Sequence, residues 1–449
     1  MKNPTIIFVL VFTIALQMSS CKKDDNSDTP EVEKIYQGSL INPPLEELQE
    51  FYEEGYNVIN GNVKLNNIGG LLNMLTLSNV ISIKGFLTIS ANESMISLEG
   101  LGNLESIAGG LNINHNDALA NIDGLSKLTS VGGDLIIINN ASLINIDGLS
   151  SLTIMTSFDG YLKIYDNDAL INIDGLSSLT SVGGDLLIIQ NDAITNIDGL
   201  SNLTSNGEYI IISENASLSN IDGLSNVKSF DRNISISSND ALINIDGLSN
   251  LTSVGSLHIY GNDTITNIDA LSNLTYVSRS LSISQNAALT NLDGLSSLTS
   301  LDGDIGIANN DALANIDVLS NLTSIGGDIG IYENEGLINI DGLTNLTSVG
   351  GYLSIQYNDA ITNIDALSSL ISINGELTII NNDALANIEG LSNLTSVSGN
   401  LNIWENINLS NLCGIKNVLT INGVVGYTTI MDNLFNPTVE DIIAGNCSQ

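Results

Sequence analysis

The stretch Leu135-Ile136-Ile137-Ile138-Asn139-Asn140-Ala141-Ser142-Leu143-Ile144-Asn145-Ile146-Asp147-Gly148-Leu149-Ser150-Ser151-Leu152 decides the fold. Its aliphatic positions 135, 137, 143, 146, 149 and 152 return about every 24 residues. One asparagine holds the same place fourteen times, as Asn92, Asn116, Asn140, Asn167, Asn191, Asn215, Asn239, Asn262, Asn286, Asn310, Asn334, Asn358, Asn382 and Asn406. Self-similarity at this period specifies a solenoid, in which each unit buries its apolar face only against its neighbours.

Alternation locates the main strand of each coil. Leu135 and Ile137 fall in columns that stay aliphatic and point inward, whereas positions 134, 136 and 138 vary and point outward. The chain turns at Asn140, buries Leu143 and Ile146, turns again at Asp147-Gly148, and buries Leu149 and Leu152. Val131 or its equivalent completes the circuit. A lone coil cannot offset the entropy of ordering its backbone, so hydrogen bonding between stacked coils must hold the rod. The Asn column follows from that stacking. Identical amides one strand spacing apart bond head to tail, each both donor and acceptor. Glycosylation is the functional alternative, but Asn-x-Ser/Thr is not kept around these positions.

Twelve basic against fifty acidic residues give a net charge of −38 over 449 residues. Such a chain repels nucleic acid, which needs Lys and Arg to displace counterions, and it avoids anionic membrane surfaces. Cations, basic partners or plain solubility are compatible with it.

The ends read differently from the repeat. Residues 1–20 read as a signal peptide, with Lys2 ahead of an apolar stretch from Ile6 to Leu16 that is too short to span a bilayer comfortably. Met18-Ser19-Ser20-Cys21 resembles a bacterial lipobox, and Lys22-Lys23-Asp24-Asp25 resembles the acidic export signal of Bacteroidota surface lipoproteins. These resemblances imply lipidation at Cys21 and a surface-exposed protein held on the outer membrane by its lipid alone. An ordinary secretory signal with an incidental Cys, or an uncleaved anchor, is the alternative. Residues 21–40 read as a flexible tether. Residues 41–60 read as an N-terminal helical cap, because Pro43-Pro44 precede acids and a face of Leu45, Leu48, Phe51 and Tyr52. Residues 61–425 are the solenoid and 426–449 a C-terminal cap, with Asn436 as the expected N-cap and Pro437 as the first helical residue. Cys413 and Cys447, the only other cysteines, are expected to form a disulfide in an exported protein.

The phrases Gly-x-Leu-x-Ile-x-x-Asn-x-x-Leu and Ile-Asp-Gly-Leu-Ser-x-Leu-Thr-Ser-Val-Gly-Gly look like the receptor L domain, a relative of leucine-rich repeats found in growth-factor receptors and bacterial surface lipoproteins. The match covers roughly Gly61 to Gly426. It implies a right-handed, single-stranded parallel β-solenoid, here of about 14–15 coils, that binds partners and catalyses nothing. This chain has many more coils than a receptor L domain and lacks its cysteine pattern, so receptor ligands do not carry over.

Four arrays compete as sites. An acid follows the second inward aliphatic in thirteen coils, from Glu99 and Asp123 to Asp365 and Glu389, with Cys413 in the last. Asn121-x-Asp123-Gly124 mimics the middle of a calcium loop, but an apolar Leu119 at the first-ligand place and no terminal Glu exclude one. The expected role is an Asp that accepts turn N–H groups, with no metal or cofactor. Catalysis finds no support, since His115 and His258 are six coils apart and the outward pair Asp304 and Asp328 lacks a cation or acid partner. That weighs against a polysaccharide-active β-helix enzyme. A Thr column, including Thr129, Thr180, Thr204, Thr252 and Thr347, raises ice binding, yet its neighbouring column is Ser, interrupted by Lys228, Tyr276 and Ile371. β-Propensity accounts for a single Thr column.

The fourth array is the outward face of four consecutive main strands. It gathers Ile136, Ile138, Tyr161, Lys163, Tyr165, Leu187, Ile189, Tyr209 and Ile211, and the next strands turn almost wholly polar. The one long repeat, 27 residues from Asn145 to Asn172, inserts its extra residues between Thr153 and Gly160, beside this patch. A contiguous exposed apolar patch marks an interface, and a face covered by the N-terminal helix, a loop or another copy of the chain is the structural alternative. The expectation is therefore a non-enzymatic binding or adhesion module for a protein or glycan at the cell surface, with self-association open. A structural spacer or coat protein is the rival.

Overall fold

A computed structural model of the protein describes residues 33–68, 76–155 and 159–449, with Ile35–Gln449 forming one compact unit. The expected signal peptide, Cys21 and the tether up to residue 32 lie outside the described residues, as do Thr156, Ser157 and Phe158 of the long repeat.

The fold is a parallel β-solenoid. Four-residue strands stack without slippage, with Leu111, Leu135, Leu162, Leu186 and Ile210 in one line and Ile113, Ile137, Ile164, Ile188 and Ile212 in another. These inward columns are buried, as are Leu143, Ile146, Leu149 and Leu152 on the remaining sides of the coil. Most coils add a two-residue strand such as Ser130–Val131 and a short 3-10 turn such as Asp147–Leu149. Backbone bonding across coils supplies what one coil lacks.

Local sequence decides where strands break. In Ser130-Val131-Gly132-Gly133 the chain bends, and a Cβ on Gly132 would lie 1.9 Å from the Ala108 carbonyl oxygen of the coil before. Where Asp231-Arg232 or Ser278-Arg279 replaces both glycines, or Gly255 alone is left of the pair, the short and main strands run together as Ser229–Ser237, Ser253–Tyr260 and Tyr276–Ser284. Bulges between Phe230 and Asn233, and between Val254 and Ser256, absorb the joins. The two sheets fuse there, and the fold remains an open solenoid.

Both ends differ from expectation. Ile35–Tyr36 and Leu40–Ile41 already pair with Val58–Ile59 and Val63–Asn66, so the first coil starts inside the stretch read as tether. The helix Leu45–Glu53 is inserted within that coil rather than preceding it, and Leu48 and Phe51 are its buried side chains. Rings of Tyr36, Phe51 and Tyr56 pack with centroids 5.4–5.5 Å apart beside it. At the other end Thr428–Met431 pairs with Leu401–Trp404, so the sheet runs past residue 425. The last helix, Val439–Ala444, is capped by Thr438, which shares a capping box with Asp441. Asn436 is engaged elsewhere, since it accepts from Asn433. Cys413 and Cys447 are disulfide-bonded with Cα atoms 4.9 Å apart.

Candidate functional site

The Asn column is a buried ladder. Asn116 Nδ2 donates to Asn140 Oδ1 at 3.1 Å, the Asn116 backbone N–H donates to the same oxygen at 3.1 Å, and Asn116 Nδ2 also reaches the Ile89 carbonyl at 3.0 Å. The same pattern joins rung to rung from Asn92 to Asn406 and continues to Asn433. Amides so enclosed are structural and leave no acceptor for a glycan. The residue before each rung turns through the left-handed region, as in His115, Gln190, Glu214 and Gln285 with φ of 53–56°. Nearly all of these are non-glycine, and none is β-branched.

The acidic column needs correction. The carboxylates do not accept the turn N–H; the asparagine two residues earlier does. Asp123 N–H donates to Asn121 Oδ1 at 3.2 Å, and the bond recurs as Asp147 to Asn145 and Asp246 to Asn244. The carboxylates themselves face solvent. Partial desolvation at this exposed place, and then the like charges of Asp198 and Asp246, raise the Asp222 carboxyl above its ordinary value. Among the described residues no group of three acids, histidines or cysteines could hold a metal ion. Where the 3-10 turn is three residues long the following Gly is required by contact, since a Cβ on Gly247 would lie 1.8 Å from the Ile221 carbonyl oxygen. Ala270, Val318 and Ala366 take that place in three coils, and there the 3-10 turn lengthens to five residues.

Outward hydroxyls and acids also have structural uses. Thr252 and Thr347 donate to carbonyls of the preceding coil at 3.0 and 2.9 Å. Asp304 and Asp328 accept backbone N–H groups of Asp328 and Tyr352, each at 2.8 Å.

The nine residues of the apolar patch lie together on the outward face. Ile136, Lys163, Leu187 and Ile211 form one row, and Ile138, Tyr165 and Ile189 the next. Tyr161 and Tyr209 stand at the strand entry, where their N–H groups donate to Asp134 and Asp185 at 3.2 and 3.1 Å. Lys163 Nζ sits 5.1 Å from the Tyr165 ring centroid. Tyr209 is 42% exposed and the others are half-buried by mutual packing. Burial and then Asp134 raise the Tyr161 hydroxyl pKa.

Sequence reading missed a second feature on the same face. Toward the C-terminal end, Tyr332, Gln356, Ile380 and Trp404 align in one outward column, and Gly330, Ser354, Thr378 and Asn402 in the next. Tyr352, Glu376 and Asn400 flank the other side, bounding an open trough of about 760 Å³. Tyr332 lies across Gly330, where a Cβ would come within 2.4 Å of its ring. Burial first, then a hydrogen bond with Tyr332 and the charges of Asp328 and Asp304, push the Tyr352 hydroxyl well above its ordinary pKa. Asn402 Nδ2 donates to Glu376 Oε1. The available signal was the chain's single tryptophan, placed outward three coils from an outward tyrosine.

No family model matches the chain, and no curated protein matches it.

Proposed function

We propose that this chain is a non-enzymatic binding or adhesion module for a protein or glycan, of receptor L-domain type, carried at the bacterial surface by lipid on Cys21. The observation that supports it most is the contiguous patch from Ile136 to Ile211 on a straight parallel sheet, since a spacer needs no such cluster. Tyrosines on a rigid sheet lose little side-chain entropy on binding and offer both ring and hydroxyl.

The test is the double substitution Tyr165→Ser with Ile189→Ser in the full chain. Both side chains are outward and half-buried, so the chain should still fold with a loss of about 1–3 kcal/mol while pull-down and glycan-array capture are lost. Capture of every parental partner by the folded variant would refute the patch. Mass spectrometry of the native protein should find acyl chains on an N-terminal Cys21; an unlipidated N-terminus elsewhere would refute the anchor.

A further inference from the structure

We infer that the trough between Tyr332 and Trp404 is a binding site for a neutral, extended β-linked glycan chain lying along the rod axis. The inference rests on the reading of the protein as a binding module and gives that reading a ligand class at a different place from the apolar patch.

Shape is the first argument. The floor of Ser354, Thr378 and Asn402 is short, Tyr332 lies over Gly330 at one end of it, and the larger side chains of Tyr352, Glu376, Gln356 and Trp404 flank it. Because coils stack without slippage, the channel is straight. Tyr332 and Trp404 stand three strand spacings apart in one column, or ~14 Å, a span that two or three consecutive sugar rings would bridge. A ribbon-like β-linked chain stays in such a channel, whereas a helical glycan curves out of it.

Chemistry is the second. The rings offer apolar faces to the C–H faces of pyranoses. Beside them stand the planar amides of Gln356 and Asn402, which donate to Ser354 Oγ and Glu376 Oε1 and present their amide oxygens as acceptors for sugar hydroxyls. The residues lining the trough include no lysine or arginine, so an anionic ligand meets only the carboxylates of Asp328 and Glu376. A peptide finds no strand edge, because the backbone here is already paired on both sides. The indole Nε1–H of Trp404 is shielded from solvent and has no hydrogen-bond partner. A buried donor left unpaired is costly, and a sugar oxygen reached by a turn of the ring would relieve it.

Trp404 is the only tryptophan in the chain, so its emission reports on this site alone. Titration of the full chain with cellohexaose and with mannohexaose should give a saturable emission change with at least one of them. Hexagalacturonate should give none. Tyr332→Ala with Gln356→Ala should weaken binding about tenfold or more. Thr378→Phe, which fills the floor without removing a wall, should block it, with circular dichroism melting confirming the fold of each variant. The Tyr165→Ser and Ile189→Ser pair should leave the signal intact. No response to either neutral hexasaccharide, an equal response to hexagalacturonate, or full binding by both trough variants would overturn the inference. Capture lost with the Tyr165 and Ile189 pair but never coupled to Trp404 would overturn it while leaving the broader reading standing.

Discussion

Asn406 Nδ2 donates to Asn433 Oδ1 at 3.0 Å, so the amide ladder crosses a 27-residue step and continues beyond the last regular coil. Asn433 in turn donates to Asn436 at 3.2 Å, where the ladder meets the C-terminal cap. An interior rung is worth more than this terminal one. Asn239→Ala would leave both the backbone N–H and Nδ2 of Asn215 without their 3.1 Å acceptor in a dry interior. The expected cost is about 2–5 kcal/mol. Asn436→Ala should cost about 1 kcal/mol, because water can reach its part-buried partners. Equal losses in chemical denaturation would show that the ladder is incidental to stability.

The left-handed column offers a test of backbone rather than side-chain contact. Gln285 is exposed and sits at φ 55°. Gln285→Val places a β-branched residue in that region and should cost about 1–3 kcal/mol. Gln285→Gly should stay within about 1 kcal/mol of the parent, since relief of strain offsets added chain entropy. A valine variant as stable as the glycine variant would mean that the turn relaxes out of the left-handed region.

Much of the coil was legible because burial repeats. Leu135, Ile137, Leu143 and Ile146 recur at fixed spacing, and only a stacked rod buries all four columns at once. The ends were less legible, because Leu45–Glu53 interrupts the first coil and disguises Ile35–Tyr36 as linker. The role of Asp123 was misassigned because Asn and Asp both make such turns, and only geometry shows that Asn121 is the acceptor. The trough was hidden for another reason. Tyr332, Tyr352 and Trp404 are far apart in sequence and modest in hydropathy, and the floor beneath them is made by small residues such as Gly330. Counting apolar side chains strand by strand draws attention to Ile136 through Ile211 instead.

The disulfide closes the C-terminal end. Cys413 and Cys447 are 34 residues apart, and beside them Leu412 N–H donates to the Cys447 carbonyl at 2.8 Å. Reduction, or Cys447→Ser with Cys413→Ser, should cost ~3–4 kcal/mol in the chain-entropy picture. The loss should appear first in exchange of amides between Leu412 and Gln449, with the central coils following. Uniform loosening along the rod, or no change on reduction, would contradict a local closing role.

The acidic column should make stability fall as pH rises. The carboxyl of Asp222 has a pKa above its ordinary value of 3.8, first through partial desolvation and then through the charges of Asp198 and Asp246. Its neutral form is therefore favoured by the fold. Between 3.8 and the raised value the folded chain holds more protons than the unfolded one, so stability declines across that interval and stays lower above it. Asp222→Asn removes the ionisation and should melt higher than the parent near pH 7. The gain should shrink as pH falls through the raised value and be lost below 3.8, where the carboxyl is protonated in the folded and unfolded chain alike. Monovalent salt should reduce the gain in part, by screening Asp198 and Asp246, while the desolvation contribution persists. Calcium at matched ionic strength should add little beyond that screening. A gain that grows on acidification, or a large calcium-specific rise in melting temperature reversed by chelator, would show that these carboxylates are held by something other than mutual repulsion and desolvation.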